Sequence, residues 1–187
     1  MTAEIFFFCR TELGGNHTDH QHGRILASAV DRGLYAQCEK CSGDAVEIQS
    51  EGFPPFEVKL HQLGVRTVEF GSPMALVRGM LAEFKELGLN IGSFKARIRT
   101  TLPAGSGLSS SAAFAVLIGR ILSKFFNNNS VDPIVIARAA QRAENTFFGK
   151  PCGLMSQLAC SLGHAVYVDF KTNEIEPIRA DFVSMGL

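Results

Sequence analysis

Apolar and polar residues alternate over short runs in the first half of the chain, a period that predicts β-strands. The first run, EIFFFC, is almost wholly apolar and indicates a strand buried on both faces. The next two runs are separated only by Asp-Arg-Gly, which we interpret as a turn, so we expect an antiparallel meander. The predicted strands lie at residues 4–9, 24–30, 34–40, 44–50 and, on a weaker pattern, 56–60.

In the second half, apolar residues recur at helical spacing and predict four helices. Two of them begin with a capping residue followed by proline, at Ser72-Pro73 and at Asp132-Pro133. A strand at 93–102 precedes the second helix, and two runs near the C-terminus predict a hairpin. The predicted helices span 73–87, 110–126, 133–148 and 153–162, and the hairpin strands span 165–170 and 175–179.

The order of these elements, with strands first and helices later, favours an α+β fold over a doubly wound sheet. We predict a mixed, mainly antiparallel sheet with the helices packed on it. The 187 residues, 46% of them hydrophobic, are enough for the core of one domain.

Charge and cysteine content argue against a nucleic-acid-binding protein, a membrane-surface protein and a structural zinc site. Lys plus Arg equals Asp plus Glu at 18 each, so no basic field favours nucleic acid or an acidic membrane surface. No apolar run reaches transmembrane length and no signal peptide is evident, and we expect a cytoplasmic protein. Five scattered cysteines indicate reduced thiols, and the lone pair Cys38 and Cys41 lacks the second pair that a structural zinc site needs.

A glycine- and serine-rich loop joins the strand at 93–102 to the second helix, and its sequence is LPAGSGLSSSAA. Such a loop before a helix N-terminus predicts a phosphate cradle, because glycines allow close approach and the helix dipole favours anions. The serines could cap the helix or bind an anion or a metal ion. The loop has neither the lysine of a P-loop nor the third glycine of GxGxxG, and an ordinary serine-capped helix remains an alternative. The predicted nucleotide-binding residues are Gly105, Ser106, Gly107, Leu108, Ser109, Ser110 and Ser111.

A second polar loop, NHTDHQH, follows the first strand. Neighbouring residues of a loop rarely converge on one ion, so we disfavour a histidine-bound metal. Asp19 can accept hydrogen bonds and His17 can donate or accept, which suits a polyhydroxylated ligand such as a sugar. A solvated loop is the simpler alternative.

Three blocks of the sequence resemble signatures of the GHMP kinases, a family of small-molecule kinases, and they occur in that family's order. CRTELGGNHTDHQHG is similar to the sugar-binding signature of its galactokinase branch. PAGSGLSSSAA resembles the phosphate-binding loop, and AENTFFGKPCGLMSQLACSLG resembles the segment that carries a glutamate and, twelve positions later, the catalytic aspartate.

The resemblance implies roles for individual residues. Arg10 would stabilise the transferring charge, Asn16, His17, Thr18 and Asp19 would bind the sugar hydroxyls, and Ser111 with Glu144 would hold magnesium. An exposed helix charge is the alternative for Glu144. The resemblance also implies ATP and Mg²⁺ as cofactors and an α+β domain like domain 2 of ribosomal protein S5.

The sequence departs from the family pattern at three positions. Asn16 replaces a glutamate and His20 a tyrosine, which bears on the choice of sugar. Ser156 stands at the place of the catalytic aspartate, and a serine hydroxyl cannot serve as an equivalent base, so we expect phosphate transfer to be slowed. A role for Ser156 as a hydrolase nucleophile is disfavoured, because no GxSxG sequence surrounds it.

The implied function is phosphorylation of galactose or a related sugar at the anomeric hydroxyl by ATP. Two alternatives stay open: a non-catalytic sensor of sugar and nucleotide, and a kinase for another sugar such as an amino sugar. The family's enzymes have a second domain with a further glycine-rich loop, so we expect residues 1–187 to be the N-terminal domain alone. The face toward the second domain would then favour self-association.

Overall fold

The structure, a computed structural model, describes residues 1–16, 18–102 and 107–178. Within these ranges it has one seven-stranded sheet and four α-helices. The strands are β1 (Thr2–Gly14), β2 (Arg24–Lys40), β3 (Ala45–Ser50), β4 (Phe56–Lys59), β5 (Phe94–Thr100), β6 (Ala165–Asp169) and β7 (Glu174–Ile178). The helices are α1 (Pro73–Glu86), α2 (Ser110–Phe126), α3 (Pro133–Arg142) and α4 (Met155–Leu162).

Strand β2 is the centre of the sheet and pairs with three other strands, all antiparallel. The prediction of two strands joined by a turn is wrong here, because residues 24–40 form one continuous strand. The Asp-Arg-Gly segment instead forms an irregularity at which the β1–β2 register shifts. A side chain at Gly33 would lie 1.9 Å from the carbonyl oxygen of Phe7, so the close pairing of the strands at this point requires glycine.

The predicted meander is also wrong. Strand β3 does not pair with β2; it pairs in parallel with β5 and antiparallel with β4. The intervening β5 comes from much later in the chain, after α1, and local alternation of residue types carries no information about such long-range pairing. The hairpin of β6 and β7 is confirmed.

Strand β1 is exposed on one face, contrary to the prediction of burial on both. Phe7 and Cys9 lie in the core, whereas Phe8 is 36% exposed. On the outer face Phe6 packs against Phe8 and against Tyr35 of β2, with ring centroids 5.0 and 4.5 Å apart. This aromatic cluster shields the outer face locally without a covering layer.

The helix starts predicted from serine or aspartate before proline are confirmed. The Ser72 hydroxyl accepts a hydrogen bond from the Ala75 N–H, and the Asp132 carboxylate accepts one from the Ile134 N–H. Helix α2 ends at Phe126, as the polar segment after it predicted. The third helix differs in kind: α3 ends at Arg142 and continues as a π-helix, Ala143–Phe148.

The helices pack against one face of the sheet and enclose the core. Phe84 of α1, Phe94 of β5 and Leu117 of α2 are fully buried in it. Burying each such side chain contributes about 1.5–3 kcal/mol. A second cluster joins α4 and β6 to the N-terminal end of β2. The α+β class and the mainly antiparallel sheet with helices packed on it are therefore as predicted.

In the described part of the chain, no helix is both long and apolar enough to cross a lipid bilayer. All five cysteines are free thiols. Three of them, Cys9, Cys38 and Cys160, are buried.

Candidate active site

A cleft of about 540 Å³ lies at the N-terminal end of α2, between β1 and the segment that follows the π-helix. A wider depression of about 980 Å³ on the outer face of the sheet contains surface side chains such as Glu47 and Lys95, which pair with each other, and none of the predicted site residues. The smaller cleft is therefore the candidate active site, because predicted site residues line it. Its lining includes Arg10, Gly107, Leu108, Ser109, Ser110, Ser111, Phe148 and Lys150.

Arg10 and Ser156 come together at one side of this cleft, although they are 146 residues apart in the chain. The guanidinium group donates from Nε and Nη2 to the Ser156 hydroxyl oxygen, at 3.0 and 2.8 Å. Arg10 is only 8% exposed. Among the described residues no carboxylate pairs with it, so its positive charge is directed at neutral hydroxyls.

Ser109 connects this pair to the glycine- and serine-rich loop. Its hydroxyl lies 3.1 Å from that of Ser156. Ser109 occupies the N-cap position of α2 in the left-handed conformation, with φ 59°, and its side chain makes no capping hydrogen bond. Of the roles expected for the serines, side-chain capping of α2 is not the one that Ser109 takes, because its hydroxyl lies against Ser156. Left-handed backbone in a non-glycine residue is uncommon and concentrates at functional sites.

Ser111 and Glu144 form the second pair of the site. The Ser111 hydroxyl donates to Glu144 Oε1 at 2.6 Å. The Glu144 residue is fully buried, so the alternative of an exposed helix charge is wrong. A buried carboxylate needs compensating partners. Besides Ser111, it receives hydrogen bonds from Gln157 and Lys150.

The π-helix places Glu144 behind the cleft wall, in contact with Ser111 and Lys150, which line the cleft. A π-turn widens the helix by one residue, and such turns are frequent at functional sites. The segment ends at Gly149, whose φ is 74°, and a side chain there would lie 2.5 Å from the ring of Phe70. The glycine therefore allows the chain to turn from Glu144 back along the cleft to Lys150.

Helix α4 links the two pairs through adjacent residues. Ser156 reaches Arg10 and Ser109, and the next residue, Gln157, donates to Glu144. Gln157 is 1% exposed and its position is fixed by packing. A displacement of α4 would thus disturb both halves of the site together.

The polar loop after β1 docks against the start of α4. Asp19 Oδ2 accepts a hydrogen bond from the Met155 N–H at 3.2 Å. A side chain at Gly153 would lie 2.1 Å from the same carboxylate oxygen, so Asp19 packs directly on a glycine. The Thr18 hydroxyl donates to the Gly15 carbonyl and fixes the loop. Asn16 is exposed at the loop's edge, with φ 54°.

Three predicted site residues, His17, Gly105 and Ser106, lie outside the described residues. Of the remaining loop residues, Gly107 has φ 69° with open space around its α-carbon, and Leu108 accepts a backbone hydrogen bond from the Arg10 N–H. Ser110 is exposed at the first turn of α2.

Sequence reasoning missed Lys150, Cys152 and Gln157, which surround Glu144. The Lys150 Nζ lies 3.2 Å from the Ser111 hydroxyl and 3.5 Å from Glu144 Oε1. Burial, reinforced by the charge of Glu144, raises the pKa of the Cys152 thiol to about 11. A signal was available in the sequence, since all three follow Glu144 within thirteen residues in the third block of the resemblance.

The oxygen donors at this site are of the chemical type that magnesium prefers. Mg²⁺ prefers oxygen ligands and commonly uses one or two carboxylates together with substrate phosphates. Ser111 lines the cleft, and its hydroxyl oxygen lies 2.6 Å from Oε1 of Glu144, which is buried directly behind it. Within the described ranges, no group of three or more His, Cys, Asp and Glu side chains is arranged to hold a metal ion by itself.

Comparisons with known protein sequences assign two segments of the chain. Residues 75–164 match the N-terminal domain of GHMP kinases, and residues 9–40 match the galactose-binding signature of galactokinases. The chain is 38% identical over 172 residues to the galactokinase of Pyrococcus furiosus, which covers 90% of this chain and 47% of the relative. It is 32% identical over 189 residues to that of Bacillus subtilis, covering 97% and 48%. The chain thus spans about half the length of the curated relatives it matches.

Solved structures of GHMP kinases are also similar to this chain. Galactokinase from Lactococcus lactis, crystallised with galactose, superposes with a TM-score of 0.87 at 27% identity, covering 96% of this chain and 47% of that one. Mevalonate kinase from Methanococcus jannaschii superposes with a TM-score of 0.76 at 17% identity, which shows a shared fold alone.

Proposed function

We propose that this chain, which belongs to the GHMP kinase family, contributes the sugar site and the phosphate cradle of an ATP-dependent sugar kinase. The family membership and the family's N-terminal fold, both inferred above from three sequence blocks, are confirmed. The proposed substrate is galactose or a closely related sugar, phosphorylated at its anomeric hydroxyl.

The observation that carries the proposal is the convergence of three distant segments on one cleft. Arg10 of β1 and the serines at the start of α2 line the cleft, and Glu144 of the π-helix is buried directly behind it, hydrogen-bonded to Ser111. When bound, ATP with magnesium would supply the phosphoryl group and neutralise its charge. The backbone at Gly107 and the first turn of α2 would hold the phosphates, with Ser111 and Glu144 as the oxygen ligands of the metal.

Arg10 would stabilise charge on the transferring group. A buried guanidinium group interacts strongly with an anion, because little water screens it. The acceptor sugar would lie between Arg10 and the loop that Asp19 anchors, and the carboxylate and amide oxygens of that loop would accept hydrogen bonds from its hydroxyl groups. At neutral pH the Ser156 hydroxyl is not ionised, so it can orient the acceptor hydroxyl without removing its proton.

A non-catalytic sensor is the second candidate, and the bond between Arg10 and Ser156 favours it. With a hydroxyl in place of a carboxylate, the site keeps its donors for sugar and nucleotide, but Ser156 cannot act as the base that an aspartate would supply. In that case both ligands would bind with ordinary affinity and no phosphate would be transferred.

A kinase for another sugar is the third candidate. Asn16 stands where the family has a glutamate, and it lies exposed at the edge of the loop that bears Asp19. An amide both donates and accepts hydrogen bonds, whereas a carboxylate only accepts, so the preferred substituent on the sugar would differ. A panel of galactose, galactosamine and N-acetylgalactosamine would rank the candidates.

We also propose that a second domain completes the nucleotide site. Phe53 lines the cleft and is 51% exposed, which suits a surface covered by further protein. If so, the chain alone should bind ATP more weakly than a longer form containing that domain, and calorimetry on both would test this. Self-association through the same face and a cytoplasmic location stay predictions.

The deciding experiment is a titration of the chain with galactose by calorimetry, followed by an assay for sugar phosphate and ADP with ATP and magnesium. Sugar binding with slow, galactose-dependent release of ADP supports the kinase. Binding without any turnover supports the sensor. Absence of sugar binding would contradict both.

A further inference from the structure

The ammonium group of Lys150 lies beside the two oxygens that are proposed to hold the metal. Its Nζ lies 3.2 Å from Ser111 Oγ and 3.5 Å from Glu144 Oε1. Glu144 has a side chain only 1% exposed, and Lys150 is its one cationic partner among the described residues. The ammonium group therefore compensates a buried negative charge.

The backbone of Lys150 is held in place, whereas its side chain is exposed. Its N–H donates to the Glu144 carbonyl at 3.0 Å, and Gly149 before it packs on Phe70. The side chain is 51% exposed and lines the same cleft as Ser109 and Ser110. A lysine has a flexible four-carbon stem and three donors, so its head can change partners at small cost.

The serine loop lacks the lysine that a P-loop uses to contact phosphates. Between Gly107 and Ser111 there is no cationic side chain, and the guanidinium group of Arg10 donates to Ser156. Lys150 contacts the first turn of α2 directly, because its Nζ lies 3.2 Å from the Ser111 hydroxyl oxygen.

We propose that Lys150 acts as an internal cation that competes with divalent metal for Ser111 and Glu144, and that contacts the nucleotide phosphates once metal has displaced it. Like charges repel strongly at such short range, so the ammonium group and a divalent ion cannot share these two oxygens. The displaced ammonium group stays in the cleft, where phosphate oxygens offer it a new partner. The proposal rests on the proposed function, because it assumes a nucleotide in this cleft.

The test measures binding of Mn²⁺, a paramagnetic substitute for Mg²⁺, by electron paramagnetic resonance without nucleotide, and binding of ATP with magnesium by calorimetry. Lys150→Gln keeps a hydrogen-bond donor and removes the charge. It should bind Mn²⁺ about tenfold more tightly and ATP about tenfold more weakly than the unmodified chain, since hydrogen bonds to charged groups are worth at least this factor. Lys150→Arg keeps the charge and should retain ATP affinity.

Lys95→Gln is the matched control, because it removes the same charge from a surface ion pair with Glu47 on the sheet. It should change neither affinity, and thermal unfolding would verify that all variants fold. Unchanged Mn²⁺ affinity or unchanged ATP affinity in Lys150→Gln overturns the proposal. Failure of the unmodified chain to bind ATP would count against the proposed function instead, and the Mn²⁺ measurement would still decide whether Lys150 competes with metal.

Discussion

Arg10 donates two hydrogen bonds to the hydroxyl of Ser156, at 3.0 and 2.8 Å, in a position where the family resemblance places an aspartate. A buried arginine that faces a hydroxyl lacks the charge partner that would make the pair strong. This relationship leads directly to the first prediction.

Ser156→Asp should raise phosphate transfer from ATP to galactose by about a hundredfold or more, since general-base contributions run to about 10²–10⁴. It should also raise the melting temperature, because a carboxylate beside Arg10 makes charge-assisted hydrogen bonds. Ser156→Asn, similar in size but uncharged, is the control and should change neither quantity in this way. Equal turnover in the Asp and Asn variants would refute a missing base as the limiting defect.

Gly153→Ala should weaken sugar binding by about tenfold or more, a loss of about 1.4 kcal/mol per factor of ten. The added methyl group would lie 2.1 Å from Asp19 Oδ2 and must displace that carboxylate. Nucleotide affinity should stay unchanged, because the proposed phosphate cradle is formed by other segments. Gly64→Ala provides the control, as a side chain there meets no atom within 4 Å. Calorimetry with galactose and with ATP separates the two effects.

Glu144→Ala should lower the free energy of unfolding by about 1–3 kcal/mol, the usual loss when buried hydrogen-bonding groups are left without a partner. Ser111 and Gln157 would both lose their acceptor. Urea denaturation measures the change, with the exposed Glu86→Ala as control. A loss no larger than that of Glu86→Ala would mean that Glu144 does not organise this part of the core.

Arg78→Met should destabilise the chain by up to about 3–5 kcal/mol, because it leaves the buried carboxylate of Glu69 with only the more exposed and more distant Arg66, 3.7 Å away, as a charge partner. Arg78 is 2% exposed and donates from Nε and Nη2 to the two carboxylate oxygens of Glu69, each at 2.7 Å. Removing both partners in Arg78→Met with Glu69→Leu should restore part of the loss. If the double variant is no more stable than the single one, the charge pair is not the cause.

The chain should lose stability between pH 9 and pH 11. Burial raises the pKa of the Cys9, Cys38 and Cys152 thiols from 9.0 to about 11 in the folded state. The stabilisation is fully present below the unfolded pKa and is lost as the pH rises through the folded pKa. Thiolate absorbance at 240 nm should therefore be low for the folded chain at pH 9.5 and rise on unfolding in urea. High absorbance before urea is added would contradict the burial of these thiols.

Sequence alone determined those features that depend on neighbouring residues. The caps at Ser72 and Asp132 were predictable because a capping side chain bonds to a backbone N–H two or three positions away. Helix α2 was also predictable from neighbouring residues, because its apolar side chains recur at helical spacing. The roles suggested for Arg10, Ser111 and Glu144 came from matching motifs, and their proximity could not be derived from the spacing of the motifs.

The tertiary structure decided the features that depend on distant segments. Residues 24–40 form one strand, although Asp-Arg-Gly is a local turn signal. Hydrogen bonds to β1 on one side and to β5 and β6 on the other outweigh that signal. The tertiary structure also buried Glu144 against Ser111 and Lys150, and it directed the Ser109 hydroxyl to Ser156 instead of its own helix. Hydrogen-bond partners of this kind are chosen by packing across the core, where residues far apart in the chain must satisfy each other's buried polar groups.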